Sequence, residues 1–327
     1  MHLLATLPGT IADGSAAVDL AQTPGDIVAL TIADTELALL AAAQRRLRAA
    51  APSAPAVRLA PVLRLGHNFS VDLYMETVAA ARLVVARILG GSAYWPYGVE
   101  RLVETCRRHA IPLALLPGDD RPDAELARLS TVPAESLNRL WGYLAEGGPA
   151  NAENFLRCCA ALIGHDMPWA EPAPLLRAGL YWPGRALPTL ADIAAEWPGG
   201  PAPAKAGGGV APIVFYRALV QSGNTAPVDA LVDALTARRL RPLPVFVQSL
   251  KDGEAVALLA ALFAEVPPAV ILNATGFSVR AGAAADPLAA ADCPVLQVVF
   301  AGGDEASWRE GTRGLAPRDL AMNVALP

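Results

Sequence analysis

The sequence predicts an α/β protein: two doubly wound parallel-sheet units with a helical segment between them. Three observations carry that reading. Across residues 213–273 short apolar runs alternate with helix-period segments, strand-helix-strand-helix-strand, the βαβ pattern of a parallel sheet. The strand runs are apolar without interruption, as expected where helices cover both faces. The polar loops fall where a strand hands over to a helix, the edge at which open α/β sheets bind ligands.

Taken in order, residues 3–7 and 27–32 read as strands and residues 34–50 as an Ala/Leu-rich helix. Asp34 or Thr35 suits its N-cap, and Arg45, Arg46 and Arg48 suit the negative end of its dipole. Residues 56–63 read as a third strand. The spacing of Leu73, Thr77, Val78, Ala81, Val84, Val85 and Ile88 predicts one long helix over 70–89, stopped by Gly90-Gly91. A loop over 92–98, a helix over 99–110 and a strand over 112–116 complete a doubly wound amino-terminal domain, residues 1–120. Residues 121–196 carry helical segments near 122–130, 133–146 and 150–164. Pro122 and Pro133 suit first-turn positions there, and Gly147-Gly148 closes the middle segment. This part reads as an insertion or as a cap over a neighbouring sheet, and residues 178–183 as a short exposed strand or turn. A Pro/Gly-rich linker spans 197–212, and a second α/β unit spans 213–327.

Composition narrows the class. A chain of 327 residues exceeds one small core and suits two domains. With 54% apolar and 17% charged residues it is globular rather than disordered. A net charge of -5 with no basic stripe argues against nucleic acid as a partner. The four cysteines, Cys106, Cys158, Cys159 and Cys293, form no CxxC pair, and neighbouring Cys158 and Cys159 have poor disulfide geometry, so reduced thiols are expected. The start has no basic leader and no apolar run is long enough to span a bilayer, so a soluble, cytoplasmic protein without a membrane partner is expected. The last residues, 320–327, are apolar and lack a charged tail, which predicts a second unit truncated at its carboxyl end.

Candidate binding residues gather in loops. In the segment 221–227, Thr225 can cap a helix, Pro227 fits its first turn, Gly223 permits close backbone approach, and Asn224 adds an amide. Free amides there can hold a carboxylate or phosphate, although a plain βα turn has the same composition. Ser249 and Lys251, then Asn273 and Thr275, occupy two sister loops at the same predicted sheet edge. Lys251 beside Asp252 also reads as a solvated pair. Tyr94 and Trp95 can present flat faces to a planar ligand, or plug an interface by burying large rings. His67, between a strand and a helix, is placed for a switchable or ligating imidazole. No two histidines have metal-ligand spacing, and no H-E-x-x-H, G-x-S-x-G, nucleotide P-loop or G-x-G-x-x-G occurs, so no metal site is expected.

Several short motifs together resemble one family. Leu63-Arg64-Leu65-Gly66-His67, Ser70-Val71-Asp72-Leu73-Tyr74 and Tyr94-Trp95-Pro96-Tyr97-Gly98 are similar to the amino-terminal part of the large subunit of ATP-dependent cobaltochelatase, a relative of the magnesium chelatase H subunit. Gly179-Leu180-Tyr181-Trp182-Pro183-Gly184, Phe215-Tyr216-Arg217, Gly223-Asn224-Thr225-Ala226-Pro227, Ser249-Leu250-Lys251-Asp252, Pro294-Val295-Leu296-Gln297 and Leu315-Ala316-Pro317-Arg318-Asp319-Leu320 follow in the same order. The resemblance implies a ligase-class enzyme that inserts Co2+ into hydrogenobyrinic acid a,c-diamide in aerobic cobalamin biosynthesis. It implies two AAA+ partner subunits that hydrolyse the ATP, and no cofactor bound by this region itself. Family members run far beyond this length, so catalytic and metal-handling residues are expected downstream of Pro327, and this chain alone is expected to be inactive. Two other readings stay open: a stand-alone corrinoid or small-ligand binding module with lobes joined by the 197–212 linker, and an interaction domain that docks the AAA+ subunits.

Overall fold

Ile27-Val28-Ala29-Leu30-Thr31 is apolar up to its last residue and buried throughout, and it becomes the inner strand β1 (Ile27–Thr31) of a four-stranded sheet. The computed structural model describes residues 17–119, 121–200, 208–276, 287–301 and 305–310. The predicted strand at 3–7 and the apolar carboxyl end at 320–327 lie outside the described residues. The chain divides into one unit of Met1–Leu175 with Gln221–Gly223, and a second of Leu176–Val220 with Asn224–Pro327.

In the first unit β1 leads through α1 (Asp34–Ala50) to β2 (Val57–Pro61), then through α2 (Asn68–Ala79) to β3 (Leu83–Ile88). α3 (Pro96–Arg108) and β4 (Leu113–Pro117) follow, then α4 (Ala124–Leu129), α5 (Ala134–Glu146) and α6 (Pro149–Leu162). The strands are all parallel, in the order β2-β1-β3-β4. Val28, Leu30, Val84 and Ala86 face α2 and α3, while Ile27, Leu83, Val85, Ala114 and Leu116 face α1, α5 and α6. Of the helical segment that the sequence sets apart, α5 and α6 cover the second face of the first sheet beside α1, while Leu126 of α4 packs on the first face.

The single helix predicted over 70–89 is corrected to α2, a short turn and β3. Val84, Val85 and Ile88 fit a helical period, but the run Leu83-Val84-Val85-Ala86-Arg87-Ile88 is buried on both faces, where β-branched residues favour a strand. A short apolar run fits either period, and tertiary burial decides. Two capping expectations also change. Ala33, not Asp34 or Thr35, is the N-cap of α1, without a side-chain bond, and Asp123 rather than Pro122 opens α4 by accepting from the Glu125 and Leu126 amides.

The second unit contains β5 (Ala178–Leu180), α7 (Leu190–Glu196), β6 (Val210–Tyr216), α8 (Arg217–Gln221), α9 (Ala226–Ala237), β7 (Arg241–Val247), α10 (Gly253–Glu265), β8 (Ile271–Asn273) and β9 (Val295–Gln297). A last helix, α11 (Glu305–Glu310), follows. The sheet order is β5-β7-β6-β8-β9, and β5 pairs antiparallel with β7, so this sheet is mixed rather than purely parallel. Its parallel part repeats the order of the first sheet, with β7, β6, β8 and β9 in the places of β2, β1, β3 and β4. Val228, Val232 and Leu235 of α9 cover one face; Ile193 of α7 and Leu259 of α10 cover the other. Prolines are rare inside sheets because they lack an N–H, and in β7 that gap is turned away from the long partner β6. The carbonyl of Pro244 accepts from the Tyr181 amide and that of Pro242 from the Trp197 indole, so the missing N–H groups lie on the side away from β6. Trp197, predicted to begin a linker, is instead buried in the core of this unit.

One contact in the first unit leaves no tolerance. A Cβ added to Gly98, in the first turn of α3, would lie 1.9 Å from Cε2 of the buried Trp95 ring. Gly98→Ala is expected to destabilise by about 2–4 kcal/mol through overpacking, measured by urea unfolding. Adding Trp95→Leu to Gly98→Ala should recover part of the loss.

Candidate functional site

The connections from β1 and β3 leave in opposite directions, so the crevice between the carboxyl ends of β1 and β3 is the expected ligand position of the first unit. The chain's own side chains fill it. Arg87 on β3 is in register with Thr31 on β1, and Arg87 is 5% and Glu36 8% exposed. Arg87 pairs with Glu36 through Nη1, donates from Nε to the Pro117 carbonyl at 3.1 Å, and donates to the Leu144 and Gly118 carbonyls at 3.0 Å each. The other Glu36 oxygen accepts from the Thr31 hydroxyl at 2.6 Å. Each guanidinium nitrogen thus has an acceptor, as a buried charge requires.

The first-unit residues singled out from the sequence have separate local roles. His67 is the N-cap of α2: its Nδ1 accepts from the Phe69 amide at 3.1 Å, which puts the ring proton of the neutral form on Nε2. Trp95 is buried and its indole donates to the Leu65 carbonyl at 2.9 Å, whereas Tyr94 is half exposed. Trp95 packs in the core rather than offering a flat face to a ligand. An open groove of about 560 Å³ lies nearby, lined by Ser92, Pro96, Val99, Glu100, Glu104 and Glu125 among others, and none of His67, Tyr94 and Trp95 lines it.

In the second unit all six predicted residues follow carboxyl ends of parallel strands: Asn224 and Thr225 after β6, Ser249 and Lys251 after β7, Asn273 and Thr275 at the end of β8. The switch point falls between β6 and β8. There Asn273 accepts from the Thr275 hydroxyl at 2.7 Å and amide at 3.1 Å, and donates to Gln297 Oε1 at 3.1 Å. Gln297 donates in turn to the Thr275 carbonyl at 2.8 Å, and the Tyr216 hydroxyl donates to the Gly276 carbonyl. Gln297 and Tyr216 stand in the resemblance motifs but not among the candidate binding residues; the rule that points to Asn273 also points to Gln297, at the end of the next parallel strand.

The flanking loops are more open. Asn224 and Lys251 are exposed. The Ser249 hydroxyl accepts from the Lys251 amide at 3.2 Å. The Lys251–Asp252 pair suggested by adjacency is replaced by Arg177–Asp252, at 2.6 Å. Asp252 also caps α10 through the Glu254 amide, and those bonds, the amide first and then Arg177, hold its carboxyl below the usual range. Thr225 is the N-cap of α9 by position but makes no side-chain capping bond. Asp229 in the first turn accepts from the Tyr181 hydroxyl at 2.6 Å, and burial followed by that bond pushes the phenol up to about 12. The helix start thus already holds an anion of its own.

Among the described residues no group of three or more His, Cys, Asp or Glu is placed to hold a metal ion, and no helix is long and apolar enough to cross a membrane. The fold and its edges define a class: an α/β scaffold of twice-used topology, with one switch point closed by an ion pair and the other lined by amides and hydroxyls. Comparison with known proteins makes this specific. The family model CobN/Magnesium Chelatase matches residues 141–327. The aerobic cobaltochelatase subunit CobN of Sinorhizobium sp is 48% identical over 342 residues, covering 100% of this chain and 26% of that relative. The subunit of the same name from Pseudomonas aeruginosa is 41% identical, again over 100% of this chain and 26% of the relative. A solved structure, the catalytic subunit of cobaltochelatase from Mycobacterium tuberculosis, matches with a TM-score of 0.68 and 25% identity over 92% of this chain and 23% of that one. The chain belongs to the CobN/magnesium chelatase family. It spans about a quarter of the length of the curated relatives it matches.

Two outcomes follow from the site geometry. Arg87→Met leaves Glu36 buried and unpaired and is expected to cost about 3–5 kcal/mol by urea unfolding. Glu36→Leu combined with Arg87→Met should cost less than that single change. The thiols give a second check. Burial pushes Cys106 up to about 12 and Cys158 to about 11, and raises Cys159 further from its usual range, so little thiolate exists at pH 8. A chromogenic disulfide reagent at pH 8 should label Cys293, the half-buried thiol, ahead of the other three, and all four only after unfolding.

Proposed function

We propose that this chain works within the porphyrinoid-binding large subunit of an aerobic cobaltochelatase, which inserts Co2+ into hydrogenobyrinic acid a,c-diamide. The observation that carries the proposal is whole-chain identity of 48% to the CobN subunit of Sinorhizobium sp. The magnesium-chelatase subunit ChlH of Oryza sativa subsp. indica is 29% identical over 66% of the chain, which favours cobalt over magnesium as the cargo. In this reading ATP is hydrolysed on two AAA+ partner subunits, in keeping with a sequence that has no P-loop. The reaction takes place in the cytoplasm.

The ring-facing surface is assigned to the carboxyl-terminal edge of the second sheet. Asn224, Ser249 and Lys251 offer an amide, a hydroxyl and an ammonium group, and Asn273 and Thr275 hold the edge behind them in a bonded network. Those groups suit the acid and amide side groups of a corrin precursor. Insertion also requires two pyrrole protons to leave, and the acid–base residues for that step are assigned outside this chain. A specific observation gives the first unit a different role. Its switch point is filled by Arg87 and Glu36, so that unit is assigned to docking the partner subunits rather than to holding the ring.

Cobalt insertion assayed with the two AAA+ subunits tests the reading. The 327-residue chain is expected to give no insertion, and the whole subunit to give it; turnover by the chain alone would refute the assignment of the acid–base groups. In the whole subunit, Asn224→Ala with Lys251→Ala should weaken ring binding by roughly 10-fold or more, on the scale of one lost charge-assisted hydrogen bond. Unchanged ring affinity would move the ring-facing surface elsewhere.

A further inference from the structure

The first residue of β7 carries a guanidinium with two nitrogens that have no hydrogen-bond partner. Arg241 is 3% exposed, yet its Nε and Nη2 have no hydrogen-bond partner. Buried charges are ordinarily paired and hydrogen-bonded, because desolvating an ion without compensation is costly. The two orphaned donors are adjacent on one edge of the planar group. That edge is the side-on fork with which arginine grips both oxygens of a carboxylate.

The described contacts of the group use its face and supply no acceptor to its edge. The guanidinium carbon lies 5.7 Å from the centroid of the Trp197 ring, a cation–π contact. The Trp197 indole is itself committed to the Pro242 carbonyl at 2.7 Å. The acids of the adjoining α7 are engaged elsewhere: Glu196 pairs with Arg185, and Asp192 closes a capping box with Thr189. The sequence joining α7 to β6 contains no acid over residues 201–207. Arg238 and Arg239, exposed in the turn before β7, add positive charge at the same end of the strand.

We propose that Arg241 is the receptor for one carboxylate group of a small ligand, bound at the amino-terminal edge of the second sheet. This edge is opposite the loops assigned to the ring, so the site stands independently of that assignment. Thermal melting of the chain tests it, in chloride and in acetate at matched ionic strength. Acetate is expected to raise the wild-type Tm saturably. Arg241→Met is expected to abolish the rise and to melt at or above wild type in chloride, since it removes an unpaired buried charge. Arg241→Lys, which keeps the charge without the fork, is expected to fold and to lose the acetate response. An absent response in the wild type would show that water satisfies the fork; a response that survives in either variant would show a non-specific salt effect. A drop in Tm for Arg241→Met in chloride would show a partner inside the chain. Each of those three results overturns the proposal.

Discussion

The first unit depends on one buried ion pair. Arg87 sits near the end of β3 and Glu36 in the first turn of α1, so their contact ties the two inner strands to the helix that leaves β1. Because the same guanidinium also reaches the carbonyls of Pro117, Gly118 and Leu144, it joins β4 and α5 to that centre. An ion pair so placed gives little net stability over an apolar alternative, but it is unforgiving of partial loss. Its stronger effect is on position: it fixes where α1 and α5 close over the strand ends, and it occupies the crevice that this topology otherwise leaves for a ligand.

The second unit repeats the strand order and resolves the same crevice differently. Where the first has charge, the second has Asn273, Thr275, Gln297 and Tyr216, all neutral and bonded to one another or to backbone. A neutral network of this kind can exchange a bond with a ligand at modest cost, whereas opening the Arg87–Glu36 pair exposes two charges that have lost their compensation. The two switch points therefore differ in chemistry, and in the proposed function that contrast makes the second unit the ligand-facing one.

Much of this was legible in the sequence, and the parts that were not share physical causes. The helix at 34–50 and the inner strands of the second sheet follow directly from period and apolar runs. The strand β3 hid inside a helical pattern because a six-residue apolar run fits both periods, and only burial on both faces chooses. Arg87 was hidden with it, since a lone arginine in such a run reads as a solvated face of a helix. The loops after β6, β7 and β8 were placed at the sheet edge from sequence order alone, but what their side chains bond to was not legible. Asp252 is adjacent to Lys251 in the chain yet pairs with Arg177, which lies just before β5, and only the antiparallel docking of β5 on β7 brings it there.

In the proposed function the second-unit edge holds a ring rather than deprotonating it. A base for pyrrole N–H groups works best with a pKa near the operating pH and with a free lone pair. Two described carboxylates near these loops are already engaged. Asp252 is held below the usual carboxylate range by an amide and by Arg177, and Asp229 is taken up by the Tyr181 hydroxyl. Of the candidate residues at the edge, Asn224 and Lys251 are exposed and can donate hydrogen bonds. In the proposed function these candidate residues position the ring, and the acid–base step of metal insertion is assigned to other parts of the enzyme.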